Sequence, residues 1–221
     1  MTGKSALDTP ALLVNLDVMD ANIAHVAQAC RTNGVAWRPH FKGHKTVEIA
    51  QRQIAAGAIG ITCAKLGEAE VLAGGGIRDI LIANQIVGPL KMARLASLLE
   101  RADPIVAVDS EANIRELAEA MAGAGRVLRV VIEVDIGMHR AGAQPGPPVV
   151  ALGAVIGQYP SLRLVGLMGW EAQTTAIADP AEKEKAVAQA IELLTHSAAL
   201  CRAAGQDIRI VSCGGTGTLR Y

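Results

Sequence analysis

Aromatic side chains are almost absent from this sequence, and so is any surplus of charge: aromatics make up 2% of the 221 residues, and 21 lysines and arginines balance 21 aspartates and glutamates. No basic run interleaves with aromatic rings, so the electrostatic footprint of a nucleic-acid binder is missing. Long apolar runs are missing too. The start, Met1-Thr2-Gly3-Lys4-Ser5-Ala6-Leu7-Asp8, lacks the apolar stretch of a secretory signal, and no window approaches the roughly 18 apolar residues of a membrane span. The expectation is a cytoplasmic protein with neither nucleic acid nor membrane as partner. Cysteine is sparse: Cys30, Cys63, Cys201 and Cys213 show neither metal-ligand spacing nor a disulfide framework, and read as free thiols in a reducing compartment.

What is present is apolar material and glycine, 51% hydrophobic residues and 23 glycines, enough for a single large core. Short apolar runs ending in polar or glycine-rich turns alternate with longer Ala/Leu/Glu-rich segments, the pattern of strand-helix units around a parallel sheet. An N-terminal strand is expected over 11–16 and a helix over 18–33. Barrel strands follow near 36–42, 60–65, 79–84, 105–109, 128–135, 162–170 and 208–212. Asp109-Ser110-Glu111 offers an N-cap to a helix that Gly123 and Gly125 end, and Asp179-Pro180 opens another that Gly205 closes. Gln144-Pro145-Gly146-Pro147-Pro148 reads as a turn within one domain spanning 1–221. The series suggests an α/β fold of the (β/α)8 TIM-barrel type, for which about 250 residues and eight strands are usual. The count here is roughly seven, and the nine residues after Ser212 leave no room for an eighth strand and its helix, so the barrel is expected to be incomplete at its C-terminus, with two unpaired edges.

Active sites of such barrels sit at the strand exits, which here carry Lys42, Lys65, Asn84, Asp109, Asp135 with Arg140, Trp170 with Glu171, and Ser212 with its glycines. A period of two along 37–42 places Arg38, His40 and Lys42 on one strand face. Lys42, if partly desolvated beside those cations, has its ammonium form disfavoured and becomes a candidate amine nucleophile; a solvated strand-end lysine is the competing reading. Lys45, past Gly43, is expected to point to solvent. In Ser212-Cys213-Gly214-Gly215-Thr216-Gly217-Thr218 the glycines let backbone N–H groups close on a phosphate, although such a stretch also makes ordinary tight turns and lacks the lysine of a Walker loop. Arg140 offers a fixed cation near the site, or else a structural bridge to Asp135 or Glu133. Trp170 offers a wall for a planar ring, or core packing. Cys63 and His139 show no base-and-orienter partnership, which leaves thiol or triad catalysis unsupported.

These residues resemble a known family, the fold-type III pyridoxal-phosphate enzymes of the D-threonine aldolase and D-serine dehydratase group, relatives of the alanine racemase N-terminal barrel. The motifs occur in order: Asp8-Thr9-Pro10-Ala11-Leu12, Arg38-Pro39-His40-Phe41-Lys42-Gly43-His44-Lys45, Cys63-Ala64-Lys65-Leu66-Gly67-Glu68-Ala69-Glu70, Ile82-Ala83-Asn84, Glu133-Val134-Asp135-Ile136-Gly137-Met138, Gly166-Leu167-Met168-Gly169-Trp170-Glu171 and Gly214-Gly215-Thr216-Gly217-Thr218. The resemblance implies pyridoxal 5'-phosphate as cofactor, Lys42 as its Schiff-base lysine, Arg140 near the cofactor ring, His40 and Trp170 lining the pocket, and Ser212, Gly214, Gly215, Thr216, Gly217 and Thr218 in the phosphate cradle. It implies a homodimer and retro-aldol cleavage of a β-hydroxy-D-amino acid to glycine and an aldehyde. D-serine dehydratase-like ammonia loss, 3-hydroxy-D-aspartate cleavage, racemisation and cofactor binding without turnover are the alternatives.

The departures from the family pattern are specific. Relatives add a last barrel strand and a C-terminal β-domain with a divalent-metal site, so any metal belongs to the complete protein and no metal ligand is assigned in this chain. Trp170 stands where many relatives have tyrosine, and Gly43 where a larger residue is usual.

Overall fold

Alternation of short β-branched runs with amphipathic segments builds a repeated unit in which each strand is followed by a helix. The structure is a computed structural model that describes residues 3–221; Met1 and Thr2 lie outside the described residues. Helices α1 (Leu16–Thr32) and α2 (Val47–Ala55) come first. Then β1 (Ile61–Cys63), α3 (Leu66–Gly74), β2 (Asp79–Ile82), α4 (Pro89–Leu98), β3 (Asp103–Val108), α5 (Glu111–Gly123), β4 (Leu128–Glu133), α6 (Pro147–Ile156), β5 (Leu162–Met168), α7 (Pro180–Ala203) and β6 (Ile210–Ser212) follow. All strand pairs are parallel and the spatial order follows the chain, β1 to β6, giving a curled half-barrel. No helix among the described residues is long and apolar enough to cross a membrane.

The expected helix caps form. Ser110 accepts from the Asn113 N–H at 3.4 Å and Asp179 from that of Glu182 at 2.9 Å, and Gly125 and Gly205 take positive φ just past their helices. Both faces of the sheet are covered. Ile80, Ile82, Val106, Val108, Val130 and Ile132 pack under the helices, while Leu81, Ile105, Ala107, Val131, Val165 and Met168 fill the concave side. This double burial explains why β3 and β4 read as nearly continuous apolar runs.

Three expectations are corrected. Residues 11–14 form no strand; they lie exposed ahead of α1, Leu12 at 96%, with no neighbouring strand to bond. Residues 36–42 also fail to form a strand. The Trp37 and Pro39 carbonyls accept from Ile59 and Thr62 at 2.9 and 2.8 Å, but Pro39 has no N–H to return, and pairing is limited to one bridge between His40 and Thr62. The sheet therefore has six strands where the pattern suggested seven. Arg38, grouped with Lys42 on one face, instead reaches the entry of β2, where it pairs with Asp79; Arg129 bonds Asp79 and Asp103 at the same end.

The β4–β5 register shifts between Val130 and Val131, which oppose Leu164 and Gly166. Gly166 also lies directly against β6, where a Cβ would overlap the Ile210 carbonyl oxygen and Cβ. A backbone cannot yield as a flexible side chain does, so Gly166→Ala is expected to cost roughly 1–3 kcal/mol in denaturant unfolding through overpacking at this seam. An unchanged midpoint would show that β6 moves aside freely.

Candidate active site

Two cations converge on one indole at the carboxyl end of the sheet. The Lys42 Nζ lies 4.4 Å from the Trp170 ring centroid and the Arg140 guanidinium carbon 5.3 Å from it. Each arrives by its own device. Lys42 sits in a single 3-10 turn, Phe41–Gly43, pinned below by Phe41 at 2% exposure and capped by His40, whose Nδ1 accepts the Lys42 N–H at 3.1 Å. The turn leaves Lys42 exposed, so the desolvation expected of it is not found; its aim comes from the turn and not from strand alternation. His40 is half-buried, and burial, followed by the charge of Lys42, lowers its pKa to about 4, leaving a neutral ring at neutral pH.

Arg140 is held out by a loop that occupies the acids it was expected to bridge. The buried Asp135 carboxylate accepts from the N–H groups of Gly137 and His139 at 3.1 and 2.9 Å and pairs with the His139 ring at 2.8 Å. Burial works against ionisation of Asp135, but these bonds hold it below the ordinary aspartate range. Gly142, at φ 103°, donates to Asp109 at 3.1 Å, and a Cβ there would press on the Asp135 backbone. Arg140 makes no ion pair among the described residues. The buried Glu133, bonded by Gln85 at 2.6 Å, has its carboxyl pushed up by burial although Gln85 and the Arg140 charge oppose this. Glu133, Asp135, Arg140 and Trp170 line a small cavity at the mouth.

The Gly-Thr loop leaves β6 on the other side of Trp170. A Cβ on Gly215 would stand 3.3 Å from the indole nitrogen. Ser212 bonds back to the sheet, its carbonyl accepting from Gly169 at 3.0 Å. Gly214 adopts φ 95° and donates to Glu171 at 3.1 Å, and the Thr218 hydroxyl donates to the same carboxylate at 2.5 Å. Glu171 is 1% exposed and Thr218 5%, so the Thr218 hydroxyl is spent inside the fold. Thr216 and Gly217 are exposed, and their N–H groups have no partner among the described residues.

Of the remaining strand-exit residues, Asn84 bonds the Ala64 carbonyl at 3.0 Å and Lys65 is exposed ahead of α3. Lys45 is exposed, as expected, but sits at φ 50° and pairs with the buried Glu68, which also accepts the Ala64 N–H at 2.8 Å. Burial disfavours the Glu68 carboxylate, yet the Lys45 and Ala64 bonds keep it below the usual range. The Cys63 thiol is pushed up to about 12 and that of Cys213 to about 11, in both cases chiefly by burial, which makes neither a ready nucleophile. From sequence Glu171 was named only as a strand-exit neighbour of Trp170, Glu133 only as a possible partner of Arg140 and Glu68 only within a motif, and none was given a role in the site. Their signal was available: a carboxylate at a buried strand exit demands donors, and each stands within a few residues of a lysine, an arginine or a glycine loop.

A curled parallel sheet with this cationic mouth defines the class, and the comparisons give the family. Residues 14–220 match the model of the alanine racemase N-terminal domain, and the chain belongs to that family. It is 35% identical over 215 residues to a D-threonine aldolase of Arthrobacter sp, covering 97% of this chain and 57% of that protein. It is 36% identical over 222 residues to a D-threo-3-hydroxyaspartate dehydratase of Delftia sp. strain HT23, covering 96% of this chain and 56% of the relative. The crystal structure of a D-threonine aldolase from Filomicrobium marinum superposes with a TM-score of 0.94 at 40% identity, over 97% of this chain and 58% of that one. The chain thus spans little more than half the length of these relatives.

The depressed His40 pKa has a definite sign. Below the ordinary value of 6.5 the unfolded chain takes up a proton that the folded one refuses until about 4, so stability falls as pH drops through that window. His40→Asn, which keeps an acceptor for the Lys42 N–H, is expected to flatten this part of the Tm-against-pH curve. An NMR titration of His40 with a midpoint near 6.5 would contradict the assignment.

Proposed function

We propose that this chain carries the cofactor site of a pyridoxal-phosphate-dependent lyase acting on D-amino acids, of the D-threonine aldolase kind, which cleaves a β-hydroxy-D-amino acid to glycine and an aldehyde. The observation that carries the reading is the convergence of Lys42, Arg140 and the Gly-Thr loop on Trp170. The residues fit the group. An exposed amine on a fixed turn suits an aldehyde, an unpaired guanidinium suits a ring oxygen or nitrogen, an indole suits a planar ring, and the free N–H groups of Thr216 and Gly217 suit a phosphate. When bound, pyridoxal phosphate supplies the aldehyde carbon for an amine and a conjugated ring that accepts the electron pair left at Cα.

The protein's own contributions follow from position. Lys42 is the amine that would hold the cofactor through its aldehyde carbon. His40, neutral and bonded to the Lys42 N–H, fixes the turn that carries the amine. Arg140 would present a fixed cation to the cofactor ring and so bias the protonation of a ring oxygen or nitrogen beside it. Trp170 offers a face and an indole N–H but no hydroxyl, so an acid-base step at that position falls to another group. On the phosphate side the loop after Ser212 would offer the free N–H groups of Thr216 and Gly217, while Gly214, Gly215 and Thr218 bond within the fold.

Loss of water from the β-hydroxy-D-amino acid is the second reading, supported by the similarity to the Delftia dehydratase. Among the described residues no three His, Cys, Asp or Glu side chains stand close enough to hold a metal, and the divalent cation suggested by the resemblance is not assigned to them. A homodimer rests on that resemblance alone, and a cytoplasmic location on the sequence expectation alone.

The test is spectroscopic. The wild-type protein titrated with pyridoxal phosphate should develop the absorption band of a lysine-bound cofactor, and D-threonine should shift it. Lys42→Ala should lose the band and the glycine-forming activity together. A Lys42→Ala protein that keeps the band would sink the assignment.

A further inference from the structure

Beneath the Gly-Thr loop lies a buried carboxylate that the proposed chemistry leaves without a task. Glu171 follows Trp170 directly, is 1% exposed, and takes two donors from one loop: the Gly214 N–H at 3.1 Å and the Thr218 hydroxyl at 2.5 Å. Thr218 completes the link, because its oxygen accepts the Gly215 N–H at 3.1 Å while its hydrogen points to Glu171. The loop is thereby fastened at both ends to a single side chain, and two of its backbone donors and one hydroxyl are turned inward.

Charge alone cannot explain the carboxylate. A negative group directly behind a phosphate-binding loop opposes the phosphate electrostatically, and burying it costs free energy unless its donors are fixed. What it supplies is shape. With Gly214, Gly215 and Thr218 committed inward, the exposed donors of the loop without a partner among the described residues include the N–H groups of Thr216 and Gly217 and the Thr216 hydroxyl. The same backbone step that presents the Trp170 ring to Lys42 and Arg140 seats the carboxylate under the loop, so the ring side and the phosphate side of the site share one anchor.

We propose that Glu171, acting through Thr218, is a positioning residue for the phosphate monoester of the cofactor, and that Thr218 serves as its latch and not as a phosphate ligand. This rests on the pyridoxal-phosphate reading above. It predicts a selective defect: loosening the latch should weaken recognition of the phosphate and leave recognition of the aldehyde and ring intact.

The experiment titrates wild type, Glu171→Gln, Thr218→Val and Thr218→Ser with pyridoxal phosphate and, in parallel, with pyridoxal, which lacks the phosphate, following the cofactor band. Glu171→Gln and Thr218→Val should bind pyridoxal phosphate about tenfold more weakly, as loss of one charge-assisted hydrogen bond requires, with pyridoxal affinity unchanged. Thr218→Ser, which keeps the hydroxyl, should bind as wild type does. Should Glu171→Gln fail to fold by circular dichroism, Thr218→Val carries the comparison. Equal weakening toward both ligands, or no weakening toward either, would overturn the latch while leaving the lyase reading in place. A wild-type protein that forms no band with either ligand would overturn both.

Discussion

Much in this molecule depends on a sheet whose central strands have no wet face. Helices cover one side of them and a compact apolar cluster fills the other, so a charge buried in their interior needs a partner. Polar chemistry is pushed to the strand ends. At the entry end it becomes the Arg38, Asp79, Arg129 and Asp103 network, where the ions neutralise one another. At the exit end the acids Asp135, Glu68 and Glu171 are each occupied by local donors, and Lys42 and Arg140 are left over to meet at Trp170. The difference between the two ends is a difference in pairing, and pairing is what separates a structural charge from an available one.

The alternation of strand and helix was legible in the chain, and with it the parallel sheet, the positions of β2 to β5 and the caps at Ser110 and Asp179. These follow from local chemistry that a sequence displays directly. The two N-terminal strands were misread because apolar content does not make a strand. Residues 11–14 have no neighbour to bond, and Pro39 removes the donor that a ladder through 36–42 would need. The error carried over to Arg38, since alternating faces apply only where a strand exists. The exposed state of Lys42 was one of two open readings, and the ion pair between the exposed Lys45 and the buried Glu68 was invisible, because both depend on the 3-10 turn at Phe41 and the left-handed residue at Lys45.

The site was legible in its membership and illegible in its wiring. Lys42, Arg140, Trp170 and the Gly-Thr loop could be named from strand exits and family resemblance, and they do come together. Which acid bonds which donor could not be named, because those bonds join segments that lie far apart in the chain, as Glu171 and Thr218 do. A reading by motif favours the residues with the most reactive groups. The structure shows how much of their availability is owed to glutamates and aspartates that hold the neighbouring groups still.

The segment that carries the lysine is attached to the sheet in an unequal way. It lends carbonyls to Ile59 and Thr62 and is paired with β1 only by the single bridge between His40 and Thr62. Such a segment hangs from the sheet and is not woven into it. Drawing the amine toward or away from the Trp170 ring therefore disturbs a few bonds at one margin while the five strands beyond β1 keep their register. The segment that carries Lys42 is thus mechanically separate from the strands that make the fold stable.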